Sequence, residues 1–252
     1  MVCRNAQQVC DVQSLYCQLP VRCEYLSDFL EMREEIVKER GLSFTKQSIF
    51  RALHWRKFFD FGLTCGSLFQ RLIFKPAADG HGQAARVPLP MAGFNQRRII
   101  PNLPKKHLKK MVPLTAAAKG EQRYRVAFFT GCMLNYVYPQ IGQDLISVLN
   151  LHGVTVVTPK EQHCCGTPLF TSGETEIASD LIHRNLEAFG KLDVDYIITG
   201  CGSCGLAWKQ EFPHVLGEDH PDYALAVELG KKPEISVNFD DDRPEYRADA
   251  AF

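Results

Sequence analysis

Short apolar segments with the composition of β-strands alternate with helical segments in the second half of the chain, and this alternation limits the possible folds most. The strand-like segments are residues 125–130, 154–158 and 196–199. Between them, apolar residues recur every three or four positions, as they do along one face of an amphipathic helix. Such alternation is typical of βαβ units. We therefore predict an α/β fold with a small parallel sheet, flanked by helices and joined by right-handed crossovers.

Five of the ten cysteines come directly after these predicted strands. Cys132 follows the first strand, and the adjacent Cys164 and Cys165 follow the second. Cys201 and Cys204 follow the third. The carboxyl ends of parallel strands meet at one edge of a sheet, so thiols that are far apart in sequence are expected to converge there. These five cysteines are the candidate metal ligands.

Glycines flank the five cysteines on all three predicted loops: Gly131, Gly166, Gly200, Gly202 and Gly205. Glycine lets the backbone come close to a bound inorganic group and adopt positive φ where a loop turns sharply. We therefore predict that Gly131, Gly166 and Gly202 lie against the bound cofactor.

The number and type of these ligands indicate which metal they hold. Thiolates are soft ligands, which favours an iron–sulfur cluster or zinc over calcium or magnesium. A structural zinc ion takes four ligands in a tetrahedron, for which the adjacent Cys164 and Cys165 are awkward and a fifth cysteine is surplus. A cluster contains several metal atoms that need ligands. The residues favour a cluster, and zinc remains the alternative.

Two other functions are compatible with parts of this pattern. Residues 200–205 satisfy G-x-G-x-x-G after a strand, as in dinucleotide-binding sites, but they follow the third strand rather than the first. A thiol enzyme is the second alternative, with Cys164 as nucleophile beside His163, or with Cys201 and Cys204 as a redox dithiol. Both alternatives reuse cysteines that a cluster already explains.

The rest of the chain divides by composition into segments that carry no such pattern. Residues 1–74 are expected to be a helical N-terminal region, and residues 75–122, rich in proline, an extended linker. The cysteine-rich domain would span 123–232, followed by a flexible tail over 233–252. The apolar residues between positions 49 and 72 are predicted to pack in a core rather than face a membrane or a partner.

Charge and hydropathy exclude some partners. Lys plus Arg and Asp plus Glu both total 29, so the chain has no net charge to attract nucleic acid. No apolar run approaches the roughly 20 residues that span a bilayer. The first residues lack the apolar core and cleavage site of a secretory signal, so we expect a cytoplasmic protein with reduced cysteines.

Three short motifs together resemble a known family. They are G-C at 131–132, H-C-C-G-T-P at 163–168 and C-G-S-C at 201–204. This combination resembles the cysteine-rich "CCG" domain of heterodisulfide reductase. The same domain occurs in the iron–sulfur subunits of glycolate oxidase, lactate-utilisation complexes and anaerobic glycerol-3-phosphate dehydrogenase. The resemblance covers about residues 123–230.

The resemblance implies that the five cysteines hold one four-iron, four-sulfur cluster, of the kind that is non-cubane in heterodisulfide reductase. The run V-A-F-F-T-G-C-M-L-N-Y at 126–136 is most similar to the branch that oxidises glycerol phosphate and hydroxyacids. An electron-transfer subunit is then expected, which accepts electrons from a flavoprotein dehydrogenase and works with further electron-transfer subunits. Any membrane association would be peripheral, at the inner face and through the complex. A heterodisulfide reductase-like thiol/disulfide subunit and a zinc-bound assembly subunit are the alternatives.

The chain also departs from the family pattern. Members of that family usually begin with ferredoxin-type motifs and carry two CCG domains. Here the N-terminal cysteines are more widely spaced, so the resemblance implies a degenerate ferredoxin module: Cys3, Cys10, Cys17 and Cys23. We find no second CCG domain in the sequence. A single cluster per chain is therefore expected, with a second one at the N-terminal cysteines as the alternative.

Overall fold

The structure, a computed structural model, describes residues 25–77, 82–86 and 99–232. The predictions for the four N-terminal cysteines and for the C-terminal tail lie outside the described residues. The helices are α1 (Tyr25–Arg40), α2 (Phe44–His54), α3 (Arg56–Ile73), α4 (Leu108–Met111), α5 (Gly131–Tyr136), α6 (Pro139–Leu151), α7 (Thr167–Phe170), α8 (Thr175–Gly190), α9 (Gly202–Leu206), α10 (Phe212–Leu216) and α11 (Tyr223–Lys231), with a π-helical turn at Ala207–Glu211. The strands are β1 (Phe74–Pro76), β2 (Gln83–Ala85), β3 (Ile99–Ile100), β4 (Thr115–Ala116), β5 (Tyr124–Phe129), β6 (Val154–Val157) and β7 (Tyr196–Thr199).

A four-stranded sheet with the order β4-β6-β5-β7 forms the centre of the fold. Strand β5 pairs in parallel with both β6 and β7, and all three strands lie within about one residue of their predicted bounds. The α/β class is thereby confirmed. The sheet is mixed rather than purely parallel, because the two-residue β4 adds an antiparallel edge to β6. Such a short strand leaves no recognisable period in the sequence.

The hydrophobic core covers both faces of this sheet. Successive residues of β5 point to opposite faces, as in any strand. Ala127 and Phe129 face the side covered by α8, where the ring of Phe129 contacts that of Trp208 edge to face at 5.5 Å. Val126 and Phe128 face the other side, in a second apolar cluster with α4 and α6. The sheet is therefore a buried scaffold whose carboxyl edge is held rigidly in place.

Residues 75–122, predicted as an extended linker, contain short elements that pack against the rest of the chain. β2 pairs antiparallel with β1 and with β3. Leu108 of α4 is fully buried and packs closely against Gly142 of α6. Lys109, next in sequence, donates a hydrogen bond from Nζ to the Gln162 carbonyl at 2.8 Å. These contacts are with residues distant in sequence, so the proline-rich composition gives no local sign of them.

Helices α1, α2 and α3 occupy the region where an N-terminal helical segment is predicted. The Thr175 hydroxyl of α8 donates a hydrogen bond to the Glu34 carboxylate of α1 at 3.0 Å. Phe50 of α2 is buried in the same core cluster as α8. The N-terminal helices are thus packed on the α/β domain. Among the described helices, none combines the length and the apolar content needed to cross a bilayer.

The prediction that the apolar residues of α3 pack in the core is wrong for one face of this helix. The exposed fractions of Phe61, Leu68 and Leu72 are 67%, 66% and 73%. The opposite face of α3, which carries Asp60 and Ser67, packs on the domain instead. The Tyr136 hydroxyl donates a hydrogen bond to the Asp60 carboxylate at 2.7 Å, and Ser67 is buried. Polar contacts, rather than apolar ones, therefore fix the orientation of the helix.

Candidate metal centre

All five predicted cysteine ligands lie at the carboxyl edge of the central sheet. Cys132 is in the first turn of α5, directly after β5. Cys164 and Cys165 lie on the loop between β6 and α7. Cys201 precedes the first residue of α9, and Cys204 lies within that helix, which follows β7. The parallel arrangement of β6, β5 and β7 brings the three cysteine loops side by side.

The thiols of these loops are in direct contact with one another. The Cys204 and Cys165 sulfurs are 3.6 Å apart, although the residues are 39 positions apart in sequence. Cys164 exchanges hydrogen bonds with the side chains of Cys132 and Cys165. Cys201 is close enough to act electrostatically on Cys204, and its sulfur lies 3.2 Å from the Ser203 hydroxyl. Cys164, Cys165 and Cys204 are buried, and Cys132 and Cys201 are partly exposed.

Two of the three predicted cofactor glycines have backbone conformations that favour glycine. Gly131 has φ +58°, and a Cβ at this position would lie 2.8 Å from the Cys204 sulfur. Gly166 has φ +86° and lies between Cys165 and the start of α7. Gly202, in contrast, has no positive φ, and a Cβ added there would meet nothing within 4 Å. Gly131 thus allows the β5 and β7 loops to approach each other, whereas Gly202 meets no such requirement.

A buried glutamine, which the sequence analysis did not identify, connects the first two cysteine loops. The Gln162 side-chain carbonyl accepts hydrogen bonds from the backbone N–H of Thr130 at 2.8 Å and from its hydroxyl at 3.1 Å. Its amide nitrogen donates to the carbonyls of Phe128 at 3.1 Å and Pro159 at 2.9 Å. Gln162 therefore fixes the end of β5, two residues before Cys132, to the segment that leads to Cys164.

Asn185 of α8 holds the same loop from the other side. Its side-chain oxygen accepts a hydrogen bond from the His163 backbone N–H at 2.7 Å, and its nitrogen donates to the Cys164 carbonyl at 3.0 Å. Asn185 is fully buried, so breaking either bond would leave a polar group without water. A polar residue among the apolar positions of an amphipathic helix was the only sequence signal for this role.

Hydrogen bonds between the thiols divide them into two kinds. A hydrogen bond from Cys164 lowers the pKa of Cys132. Hydrogen bonds from Cys164 and Cys204 lower the pKa of Cys165 to about 3. The same bonds raise the pKa values of Cys164 and Cys204, and burial raises them further. The group thus favours thiolates at Cys132 and Cys165, and the thiolate is the form of cysteine that binds metal.

Basic side chains surround a small cavity that opens onto Cys164. The cavity has a volume of about 10 Å³ and is lined in part by Arg56, Lys109, Gly131 and His163. Burial and the neighbouring Arg56 lower the pKa of Lys109 to about 7. Positive charge at this place stabilises thiolates and any anionic group that they bind. The cavity itself is large enough for about one water molecule.

His163 is not suited to activate its neighbour as a nucleophile. Burial, together with the charges of Arg56 and Arg184, lowers the pKa of His163 to about 4, so the ring is neutral at neutral pH. The pKa of Cys164 is raised, whereas a reactive cysteine needs a lowered one. These environments argue against the alternative of a thiol enzyme with Cys164 as the nucleophile.

The residues at this edge of the sheet fit an iron–sulfur cluster in number and in chemistry. Within the described ranges, no group of three or more His, Cys, Asp or Glu side chains is arranged to hold a single metal ion. The five sulfurs instead lie against one another, on three loops that face a common point. Soft thiolates in this number match a group with several iron atoms. When bound, such a group supplies one-electron redox chemistry.

Residues 126–209 match the family described as a cysteine-rich domain and named CCG. The chain therefore contains a CCG cysteine-rich domain, and the resemblance predicted from the three short motifs is confirmed. The matched region includes β5, β6, β7 and all five clustered cysteines. No solved structure matches the chain significantly.

Several curated proteins are similar to parts of this chain. An uncharacterized iron–sulfur protein of Methanocaldococcus jannaschii is 48% identical over 91 residues, which are 36% of this chain and 19% of that protein. The probable glycolate oxidase iron–sulfur subunit of Bacillus subtilis is 28% identical over 86% of this chain and 47% of its own length. One of the subunits of the anaerobic glycerol-3-phosphate dehydrogenase of Escherichia coli is 33% identical over 55% and 36%. The chain thus spans from about a fifth to about half of these relatives.

Proposed function

We propose that this chain is an iron–sulfur, electron-transfer subunit of an oxidoreductase. The observation that carries the proposal is the convergence of five cysteines from three loops at the carboxyl edge of one sheet. Such a group has the soft donors that a cluster requires, and Cys132 and Cys165 already favour the thiolate form. One four-iron, four-sulfur cluster is proposed, with these ligands: Cys132, Cys164, Cys165, Cys201 and Cys204.

The printed names of the relatives support an electron-transfer role over a purely structural one. They include an iron–sulfur subunit of glycolate oxidase and a subunit of anaerobic glycerol-3-phosphate dehydrogenase. We propose that a flavoprotein dehydrogenase with a substrate of this kind, a hydroxyacid or glycerol phosphate, donates electrons to this chain. The cluster then passes them to a further electron-transfer subunit. The basic residues Arg56 and Lys109 would offset the negative charge of the cysteine-bound group.

Anaerobic reconstitution tests the proposed cluster. The full chain, incubated with ferrous iron and sulfide, should become brown and hold about four irons and four sulfides, the content of one such centre. Cys165→Ser should lose most of the bound iron, because serine is a poor substitute for a soft thiolate. Cys65→Ser is the matched control, since Cys65 is a free cysteine of α3, outside the cluster of five thiols.

The same measurement separates the alternatives. A colourless protein that binds zinc would overturn the cluster and favour a structural or assembly role. Equal iron content in Cys165→Ser and the wild type would show that the ligand assignment is wrong. About eight irons per chain would assign a second cluster to the N-terminal cysteines.

A further inference from the structure

Helix α3 presents an apolar stripe to solvent along its whole length. Five large side chains of the stripe are each more than half exposed: Phe58 64%, Phe61 67%, Leu68 66%, Phe69 56% and Leu72 73%. Their spacing of three, four or seven positions places them on one face of the helix. An 18-residue helix is about 27 Å long. The stripe is therefore a long, straight surface of the kind that marks an interaction site.

Hydrogen bonds on the opposite face keep this stripe pointing away from the protein. Asp60 accepts from the Tyr136 hydroxyl at 2.7 Å, and Thr64 lies 3.2 Å from the His107 ring nitrogen. Gln70 donates to the Leu103 carbonyl and accepts from its backbone N–H, both at 3.0 Å. Rotating α3 to bury the stripe would break all of these bonds. The outward orientation is thus a property of the fold.

The charges around the stripe indicate what kind of surface it meets. Residues 44–75 contain six basic residues against one acidic residue, a net charge of +5 in a chain whose total is zero. The acidic residue, Asp60, faces the domain. The basic residues Lys57, Arg71 and Lys75 are exposed at or near the margins of the stripe. The surface that covers the stripe is therefore expected to be negatively charged.

We infer that α3 binds the surface of an anionic lipid bilayer, lying in the plane of the headgroups. Phe and Leu on one face with Lys and Arg beside them are typical of helices that insert their apolar face into this interface. A protein partner is usually bound through a central cluster of side chains in pockets. The stripe of α3 is instead uniform along the helix and carries no charged residue. Trp55, just before α3, is 68% exposed and extends the same apolar surface.

Membrane binding of this kind is separate from the proposed cluster. It depends on the N-terminal helices, whereas the cluster depends on thiols at the edge of the central sheet. The inference goes beyond attachment through a complex, because it assigns direct contact with lipid to named residues of this chain. Iron content, measured on the same samples, shows independently whether the cluster is present.

Vesicle flotation of the full chain tests the inference. Wild-type protein should float with vesicles of phosphatidylcholine mixed with phosphatidylglycerol, and much less with phosphatidylcholine alone. The double variant Phe61→Ser/Leu68→Ser should bind the mixed vesicles at least about tenfold more weakly, because it removes apolar surface that would be buried in lipid. Lys57→Glu/Arg71→Glu should reduce the binding to mixed vesicles to a similar extent.

A matched control guards against non-specific effects of removing apolar residues. Ile141 and Val148 of α6 are 54% and 52% exposed and lie on a different helix. Ile141→Ser/Val148→Ser should float like the wild type. Tryptophan emission gives a second measurement, because the chain has two tryptophans and Trp208 is buried. In a Trp208→Phe protein, the emission of Trp55 should shift to shorter wavelength when mixed vesicles are added.

Three results would overturn the inference. The first is wild-type binding that does not depend on phosphatidylglycerol. The second is equal flotation of Phe61→Ser/Leu68→Ser and the wild type, with Trp55 emission unchanged by vesicles. The third is a wild-type dimer in solution that the Phe61→Ser/Leu68→Ser variant converts to a monomer, since this would identify a second copy of the chain as the occupant. Thermal unfolding of each variant confirms that it is folded before it is scored.

Discussion

Gly131 limits how closely two of the cysteine loops approach each other. At φ +58° it adopts a conformation that other residues rarely take, and a Cβ would lie 2.8 Å from the Cys204 sulfur. Any side chain at this position must displace the thiol of Cys204 or the first turn of α5. The position therefore links the backbone of one loop directly to a proposed ligand on another.

Gly131→Ala should impair cluster assembly for this reason. We expect the variant to retain less than about half of the visible absorbance of the reconstituted wild type, because both the backbone strain and the contact with Cys204 oppose it. Gly202→Ala is the matched control, since a Cβ at Gly202 meets nothing within 4 Å. If both variants assemble the cluster as well as the wild type, close approach at Gly131 is not required.

Glu211 is a single residue whose burial should make stability depend on pH. Burial raises its pKa above the ordinary value of 4.5. The folded state then binds more protons than the unfolded state, so its stability falls as the pH rises through the raised pKa. Glu211→Gln should therefore be more stable than the wild type near neutral pH, and this difference should disappear below about pH 4.

Urea unfolding at about pH 4 and about pH 7.5 measures this effect. Glu218→Gln is the control, because Glu218 is exposed and lies on the same part of the chain. A change at an exposed position is expected to alter the free energy of unfolding by less than about 0.5 kcal/mol. A Glu211→Gln difference that stays constant between the two pH values would contradict the assigned cause.

At the scale of secondary-structure elements, the short helix α4 joins the proline-rich segment to the α/β domain. Leu108 is fully buried in the cluster that covers one face of the sheet. Two lysines extend this attachment, since Lys109 donates to the Gln162 carbonyl at 2.8 Å and the Lys160 amine donates to the Lys109 carbonyl at 2.6 Å. The segment thus helps to position the loop that carries Cys164 and Cys165.

Leu108→Ala tests whether this segment is part of the domain or a linker. Removing a fully buried leucine side chain should lower the free energy of unfolding by about 2–5 kcal/mol. Leu114→Ala is the matched control, because Leu114 is 54% exposed in the same segment, and it should have little effect. Chemical denaturation of both variants gives the comparison. A Leu108→Ala protein as stable as the wild type would favour the predicted linker.

At the scale of the whole molecule, the chain offers a proposed electron carrier but no flavin or nicotinamide site that the sequence indicates. We therefore expect the purified, reconstituted chain not to oxidise glycolate, lactate or glycerol 3-phosphate with an artificial electron acceptor. Reduction of its cluster should require a flavoprotein dehydrogenase together with the substrate of that enzyme. Anaerobic visible spectra monitor this reduction. Substrate oxidation by the chain alone would contradict the subunit role.

The sequence by itself determined the central sheet and the cysteine group. The strands β5, β6 and β7 have short apolar runs, and a parallel sheet brings their carboxyl ends together whatever the details of packing. The five cysteines could therefore be named, and the CCG domain was recognisable from three motifs. Both inferences rest on local patterns, which a single sequence displays.

Only the tertiary structure decided the features that depend on contacts between distant residues. Gln162 and Asn185 have no motif, and their roles follow from buried hydrogen bonds across 32 and 21 or 22 positions of sequence. The attachment of α4 and the antiparallel β4 are too short to leave a period. The outward face of α3 is the clearest case: its apolar stripe predicts burial, but polar contacts on the other face orient it toward solvent. Periodicity shows that a helix has two faces, and the neighbouring elements decide which of them is buried.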